Sequence, residues 1–172
     1  YDDLEDVKSA FIDYANKVPF YGAVIVCLDD PNVRSILPDL TRRTLTYGLT
    51  PQAELRATDI RMDKFTSTFT VMFNGEKLGV ITLRSPGEHN VKNALAAIAT
   101  GIELDIDFKQ IKEGLESFEG VFRRFQMKYE NGIMVIDDYA HHPTEVQATL
   151  NAAHEGWPDR RVVAVFQPHL YL

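Results

Sequence analysis

Residues 137–145, Asp137-Asp138-Tyr139-Ala140-His141-His142-Pro143-Thr144-Glu145, set carboxylates, a phenol and adjacent imidazoles between an apolar run and an amphipathic segment. The run before them, Ile133-Met134-Val135-Ile136, reads as a strand, and Glu145 to Glu155 reads as a helix. In α/β folds, ligands sit beyond the carboxyl ends of strands, where a carboxylate can hold both hydroxyls of a ribose. Pro143 suits the first helical turn, because its missing N–H costs nothing there. The free backbone N–H groups of that turn favour an anionic group such as a phosphate. Two other readings stay open at this point. His141 and His142 beside Asp138 invite a metal, although adjacent histidines point in different directions and a two-ligand site is weak. The cluster could also simply cap the helix.

Other stretches carry chemistry of the same kind. In Gly87-Glu88-His89-Asn90-Val91-Lys92-Asn93-Ala94-Leu95-Ala96-Ala97, helical spacing puts Asn90, Asn93 and Ala97 on one face, opposite Val91, Leu95 and Ile98. An Asn side chain offers both a donor and an acceptor, which suits the edge of a nucleobase. Polar residues facing solvent on a capped helix is the plainer alternative. Val121-Phe122-Arg123-Arg124-Phe125 holds an arginine pair, and an arginine beside a cleft can clamp a phosphate with a bidentate fork. An exposed basic pair is otherwise commonplace. Phe166-Gln167-Pro168-His169-Leu170-Tyr171 follows another apolar run and would end a strand beside the first one. A turn with a surface histidine is the alternative there. No G-x-x-x-x-G-K-[ST] phosphate loop occurs, so in an ATP-using parent that loop is expected upstream of Tyr1.

Local patterns give the elements that must position these residues. Leu4, Val7, Phe11 and Tyr14 recur at helical spacing over about 3–17. Ala23 to Leu28 reads as a strand buried on both faces of a parallel sheet, 32–40 as a short helix and 44–48 as another strand. The pattern then switches to alternation over 54–62 and 65–73, with an Asn74-Gly75 hairpin and a return strand over 77–83, which predicts an inserted antiparallel element. Helices are expected from His89 or Asn90 to about Thr100, and after Asp107, whose spacing to Gln110 resembles a capping box. Phe125–Tyr129 and Ile133–Ile136 should pair across Asn131-Gly132, and Val162–Phe166 should form a further strand. The fold class is α/β, with domains over 1–120 and 121–172 and a boundary near Gly120.

Composition limits the function. The chain has 172 residues, 45% hydrophobic and 25% charged, as in ordinary globular proteins. Its formal net charge of −7 and the scarcity of basic clusters argue against a nucleic-acid partner. Cys27 is the single cysteine and permits no internal disulfide, which fits a reducing compartment. No run approaches the ~18 apolar residues of a membrane span and no signal peptide is visible, so a cytoplasmic location is expected. The opening Tyr1-Asp2-Asp3, without an initiator Met, suggests a piece of a longer protein.

Together these stretches resemble the Mur ligases, ATP-dependent amide-forming enzymes of peptidoglycan synthesis. The resemblance rests on G-x-H-N-x-x-N-A-L-A-A at 87–97, R-R-F at 123–125, D-D-Y-A-H-H-P-T-E-V at 137–146 and F-Q-P-H-x-Y at 166–171. They occur in family order, and within the family H-H-P-T-E and F-Q-P-H point to the alanine-adding member. The resemblance implies the later part of a central ATPase domain, followed by the first half of a Rossmann-like C-terminal domain. It also implies that His89, Asn90 and Asn93 lie around the adenine of ATP, that Asp138 holds the ribose, and that Arg124 reaches toward the ribose and phosphates. His141 and His142 would line the same interdomain cleft, and His169 would approach the amino-acid and muramoyl side. The implied substrates are UDP-N-acetylmuramate and L-alanine, with Mg2+ held by residues upstream of Tyr1. Leu170 departs from the arginine that some members carry there, which leaves the contact to the amino-acid carboxylate unassigned. Alternatives are a murein tripeptide recycling ligase, a non-catalytic nucleotide-binding module and, furthest from the motifs, a metal hydrolase built on His141 and His142.

Overall fold

The computed structural model describes residues 1–168. The chain opens with helix α1 (Leu4–Ala15), capped by the Asp3 side chain, which accepts from the Asp6 N–H at 2.9 Å. Strand β1 (Val24–Cys27) leads to α2 (Pro31–Ile36), where Pro31 takes the first turn and the Asp30 carboxylate accepts from Asn32 N–H at 2.7 Å. A 3-10 turn (Leu37–Asp39) precedes β2 (Thr44–Gly48). Strands β3 (Leu55–Asp63), β4 (Thr66–Phe73) and β5 (Glu76–Leu83) follow, then α3 (Glu88–Glu103) and α4 (Phe108–Ser117). The chain continues through β6 (Gln126–Asn131), β7 (Ile133–Asp137) and α5 (Pro143–Gly156).

The first five strands form one sheet in chain order, with β1 parallel to β2, β2 parallel to β3, and β3-β4-β5 antiparallel. The antiparallel strands are therefore not a separate insertion. They extend the parallel sheet, joined to it where Tyr47 pairs with Leu55 and Gly48 with Arg56. Glu54 locks that junction by accepting from Thr46 N–H and Oγ1–H, both at 2.9 Å. The turn between β4 and β5 is Asn74-Gly75, both with positive φ (49° and 86°), the conformation the Asn-Gly pair predicted.

One core holds this sheet to α3. Leu55, Phe69, Val71 and Ile81 from the strands are fully buried against Val91, Leu95 and Ile98 from the helix. Each such side chain contributes about 1.5–3 kcal/mol on burial. The apolar stripe therefore fixes the rotation of α3 and turns Asn90, Asn93 and Ala97 to the opposite side. Helix α4 packs on β5 and α3 beside it, its N-cap Asp107 accepting from Lys109 N–H at 2.8 Å rather than forming the expected box with Gln110.

Two expectations about strands need correction. β1 is only partly buried along its length, because it is an edge of the sheet among the described residues rather than a central strand. Val162–Phe166 forms no strand, although β6 and β7 pair antiparallel around Gly132 as expected. A β-rich run becomes a strand only where a neighbouring ladder satisfies its N–H and C=O groups. Among the described residues this run has no such ladder, and Val165 is 98% exposed. No helix among the described residues is long and apolar enough to cross a membrane.

Helix α5 joins the small β6–β7 sheet to the larger one. Trp157, at its C-terminal cap, packs edge-on against Phe65 of the β3–β4 turn, with ring centroids 4.7 Å apart. It also stacks on Phe125 at 6.1 Å. At the other end of this contact, the Ala152 methyl lies against Gly87 at the start of α3.

Candidate functional site

A cleft of about 770 Å3 opens between the N-terminal half of α3, the end of α4 and the N-terminal half of α5. Its floor comes from α3: His89, Asn90, Asn93, Ala94 and Ala97. Gly114 and Leu115 of α4, with its C-cap Phe118, give an apolar side, and Glu145, Ala148 and Thr149 of α5 face them. Arg124, Phe125 and Asp138 close the remaining end. Five of the residues singled out from the sequence, His89, Asn90, Asn93, Arg124 and Asp138, thus meet in one cavity although up to 49 positions separate them in the chain (138 − 89).

Gly87 starts the floor. Its φ of 94° and ψ of 141° lie in territory that side chains rarely adopt, and it lets the chain turn from β5 directly into α3. The imidazole of His89 folds back over it, so that a Cβ at Gly87 would meet His89 Nδ1 at 2.8 Å. Burial pushes the pKa of His89 below the ordinary imidazole value, and Arg124 and Lys92 act in the same direction against the opposing pull of Asp138. A neutral ring at pH 7 follows, with one nitrogen able to donate and one to accept. Asn90 donates through Nδ2 to the Pro86 carbonyl at 2.7 Å, which anchors the side chain while its carbonyl oxygen remains for a ligand. Asn93, one turn on, is exposed on the cleft floor.

Asp138 directly follows β7 and does two things at once. Oδ2 accepts from Phe125 N–H and Oδ1 from Ala140 N–H, each at 2.8 Å. These bonds tie the R-R-F turn to the D-D-Y turn, with a further bond from Tyr139 N–H to the Arg123 carbonyl at 2.8 Å. The turn needs that support, because Arg123 and Phe125 both hold positive φ (58° and 46°). A carboxylate has about four lone-pair sites, so Asp138 keeps acceptor capacity toward the cleft.

The histidines separate. His141 lines a neighbouring cavity of about 600 Å3 with Tyr139, Phe166, Gln167 and Pro168, not the cleft that holds Asn90 and Asn93. Phe125, Asp138 and Thr149 border both spaces. His142 is the N-cap of α5: its Nδ1 accepts from Thr144 N–H at 3.3 Å, and Glu145 accepts from His142 N–H at 3.2 Å. The capping role left open in the sequence is therefore present, built on histidine rather than Ser or Asp. Among the described residues no group of three or more His, Cys, Asp or Glu could hold a metal ion. His169 lies outside the described residues.

Sequence reasoning gives no site role to Glu145 or Arg84 and reads Phe118 as part of the core stripe of the helix after Asp107; all three line the cleft, and Phe118 is exposed rather than core. For Glu145 a signal existed, since Glu at the third helical position after a polar cap marks a capping box. Arg84 had none, and the helical spacing of Phe118 pointed to the core, whereas the helix ends at Ser117 and leaves Phe118 as an extended C-cap at the cavity.

The sequence and the architecture match a known class. The Mur ligase middle domain matches residues 1–101, and the Mur ligase, glutamate ligase domain, matches residues 123–170. The chain belongs to the Mur ligase family. UDP-N-acetylmuramate–L-alanine ligase of Salinibacter ruber is 58% identical over 172 residues, covering 99% of this chain and 36% of that protein. The crystal structure of the UDP-N-acetylmuramate–alanine ligase of Thermotoga maritima superposes with a TM-score of 0.80 at 30% identity, over 97% of this chain and 37% of that one. A murein peptide ligase from Psychrobacter arcticus gives a TM-score of 0.65 at 26% identity, over 99% and 38%. The chain spans little more than a third of the length of the relatives it matches.

Proposed function

We propose that this chain is the adenosine-facing part of an ATP-dependent ligase that joins L-alanine to UDP-N-acetylmuramate in cytoplasmic peptidoglycan synthesis. The observation that carries the reading is the convergence of Asn90, Asn93, Arg124 and Asp138, from separate segments, on one cleft. Asn90 and Asn93 present amide donors and acceptors along the floor, matched to the edge of an adenine. The apolar side from Leu115 and Phe118 suits its faces. Asp138 accepts from ribose hydroxyls with the lone pairs its backbone bonds leave over. Arg124 supplies a planar fork for phosphate oxygens. His141 forms a wall beyond Asp138, His142 caps the helix next to it, and His169 belongs on the amino-acid side. We place the boundary between the two family domains near Gly120.

In the reaction, ATP supplies the phosphoryl group that activates the lactoyl carboxylate as an acyl phosphate, and the amine of L-alanine then displaces phosphate. The residues of this chain bind and orient the nucleotide for that transfer, a contribution of positioning and charge. Mg2+ and the ATP phosphate loop are assigned to parts of the full-length ligase outside this chain.

The 58% identity to an L-alanine ligase favours alanine over tripeptide as the amine. The full-length protein is expected to release phosphate from ATP when given UDP-N-acetylmuramate and L-alanine, and the isolated chain to release none. Preference of the full-length protein for murein tripeptide would replace this substrate assignment, and turnover by the isolated chain would overturn the division of labour.

A further inference from the structure

The geometry points to Glu145 as a positioning residue that holds Arg124 at the mouth of the nucleotide cleft; this rests on the nucleotide reading of that cleft. One carboxylate serves several partners. Oε2 accepts from the backbone N–H groups of His141 and His142, each at 3.2 Å, and lies 3.6 Å from His141 Nδ1. Oε1 is left for the Arg124 guanidinium, with Nη1 at 3.7 Å. The two oxygens therefore have separate tasks: one is fixed to the turn before α5, the other faces the arginine.

That division matters because Arg124 is otherwise loosely held. Its side chain is half exposed, and it sits in a turn between two residues of positive φ, Arg123 and Phe125. A free arginine side chain would lose rotamer freedom when it engaged a phosphate. Glu145 restricts that freedom beforehand, and a guanidinium has five N–H donors, so pairing one edge leaves the other for an anion. The ion pair itself is weak, as partly exposed pairs are, so it aligns the arginine without competing strongly against a phosphate. The backbone N–H bonds from His141 and then His142 hold the Glu145 carboxyl below its usual pKa, which keeps the charge in place at neutral pH.

A double-mutant cycle in the full-length ligase tests the assignment. Glu145→Gln keeps a carbonyl oxygen for the backbone bonds and removes the charge that aligns Arg124. It is expected to raise KM for ATP by roughly twofold to fivefold with kcat nearly unchanged, the scale of a partly exposed pair. Arg124→Ala should raise KM further, and adding Glu145→Gln to Arg124→Ala should change nothing more. Glu145→Gln with unaltered KM, beside a strong effect of Arg124→Ala, would overturn the positioning role alone. An equal Glu145→Gln effect with or without Arg124 would reduce Glu145 to a helix cap and also overturn it. An Arg124→Ala variant with wild-type KM would instead remove the nucleotide reading on which the proposal stands.

Discussion

Asp138→Ala is expected to destabilise the chain by about 2–4 kcal/mol and to abolish productive nucleotide binding together. The first part follows from the bonds it removes. Both carboxylate oxygens accept backbone N–H groups, from Phe125 and Ala140, each at 2.8 Å. Hydrogen bonds to a charged group contribute about 1.5–3 kcal/mol each, and donors left without a partner cost more than the mean bond. Phe125 is itself buried, with its ring packed beside the Phe65–Trp157 pair, so its N–H is poorly placed to recover a water. The positive-φ turn at Arg123 and Phe125 would lose the acceptor that holds it, and Arg124 would leave the cleft mouth. Asp138→Asn separates the effects: its single carbonyl oxygen replaces one of the two acceptors, so about half of the stability loss is expected. Urea unfolding of the three proteins measures the first effect, and ATP titration the second. A midpoint unchanged in Asp138→Ala would show that the two turns hold without it.

Gly87→Ala is the second large effect. The backbone at φ 94°, ψ 141° is strained for any L side chain, which costs about 1–3 kcal/mol. A methyl group would stand 2.7 Å from His89 Cε1 and 3.1 Å from the Ala152 methyl. It would therefore press on the cleft floor and on the helix that forms the opposite wall. His89 has a side chain that can move, whereas Ala152 is 1% exposed and belongs to α5. The substitution is expected to lower the thermal midpoint by several degrees and to raise KM for ATP by tenfold or more, since about 1.4 kcal/mol is a factor of ten. Circular dichroism melting and steady-state kinetics check it. A Gly87→Ala protein with wild-type melting and KM would contradict the close packing of α3 and α5 at this point.

Much of this site was legible in the residue pattern, for local reasons. Helical spacing of Val91, Leu95 and Ile98 fixed which way α3 turns, and hence that Asn90 and Asn93 share a face. Asn74-Gly75 announced its hairpin because the conformation it needs suits Asn and Gly. What remained hidden depended on neighbours distant in sequence. The continuity of β2 with β3 lies in a two-residue register, which alternation in each strand does not specify. Val162–Phe166 has the composition of a strand but no ladder among the described residues. His141 and His142 are adjacent in sequence, yet one borders a second cavity and the other caps a helix, because the turn into α5 directs them apart. Glu145 was read as part of a motif, whereas its use of one oxygen for the turn and one for Arg124 is visible only in three dimensions.

The central claim is that the cleft floor of α3 recognises the base of ATP. Asn93 is the cleanest probe, because it is exposed, lines the cleft and contributes nothing to the buried stripe of its helix. ADP affinity of the full-length protein, measured by calorimetry for wild type and Asn93→Ala, tests the claim most directly. Loss of amide contacts to the base predicts weakening by about tenfold, with no change in the melting midpoint without ligand. Equal affinities for ADP would contradict the account and move the nucleotide away from this cleft.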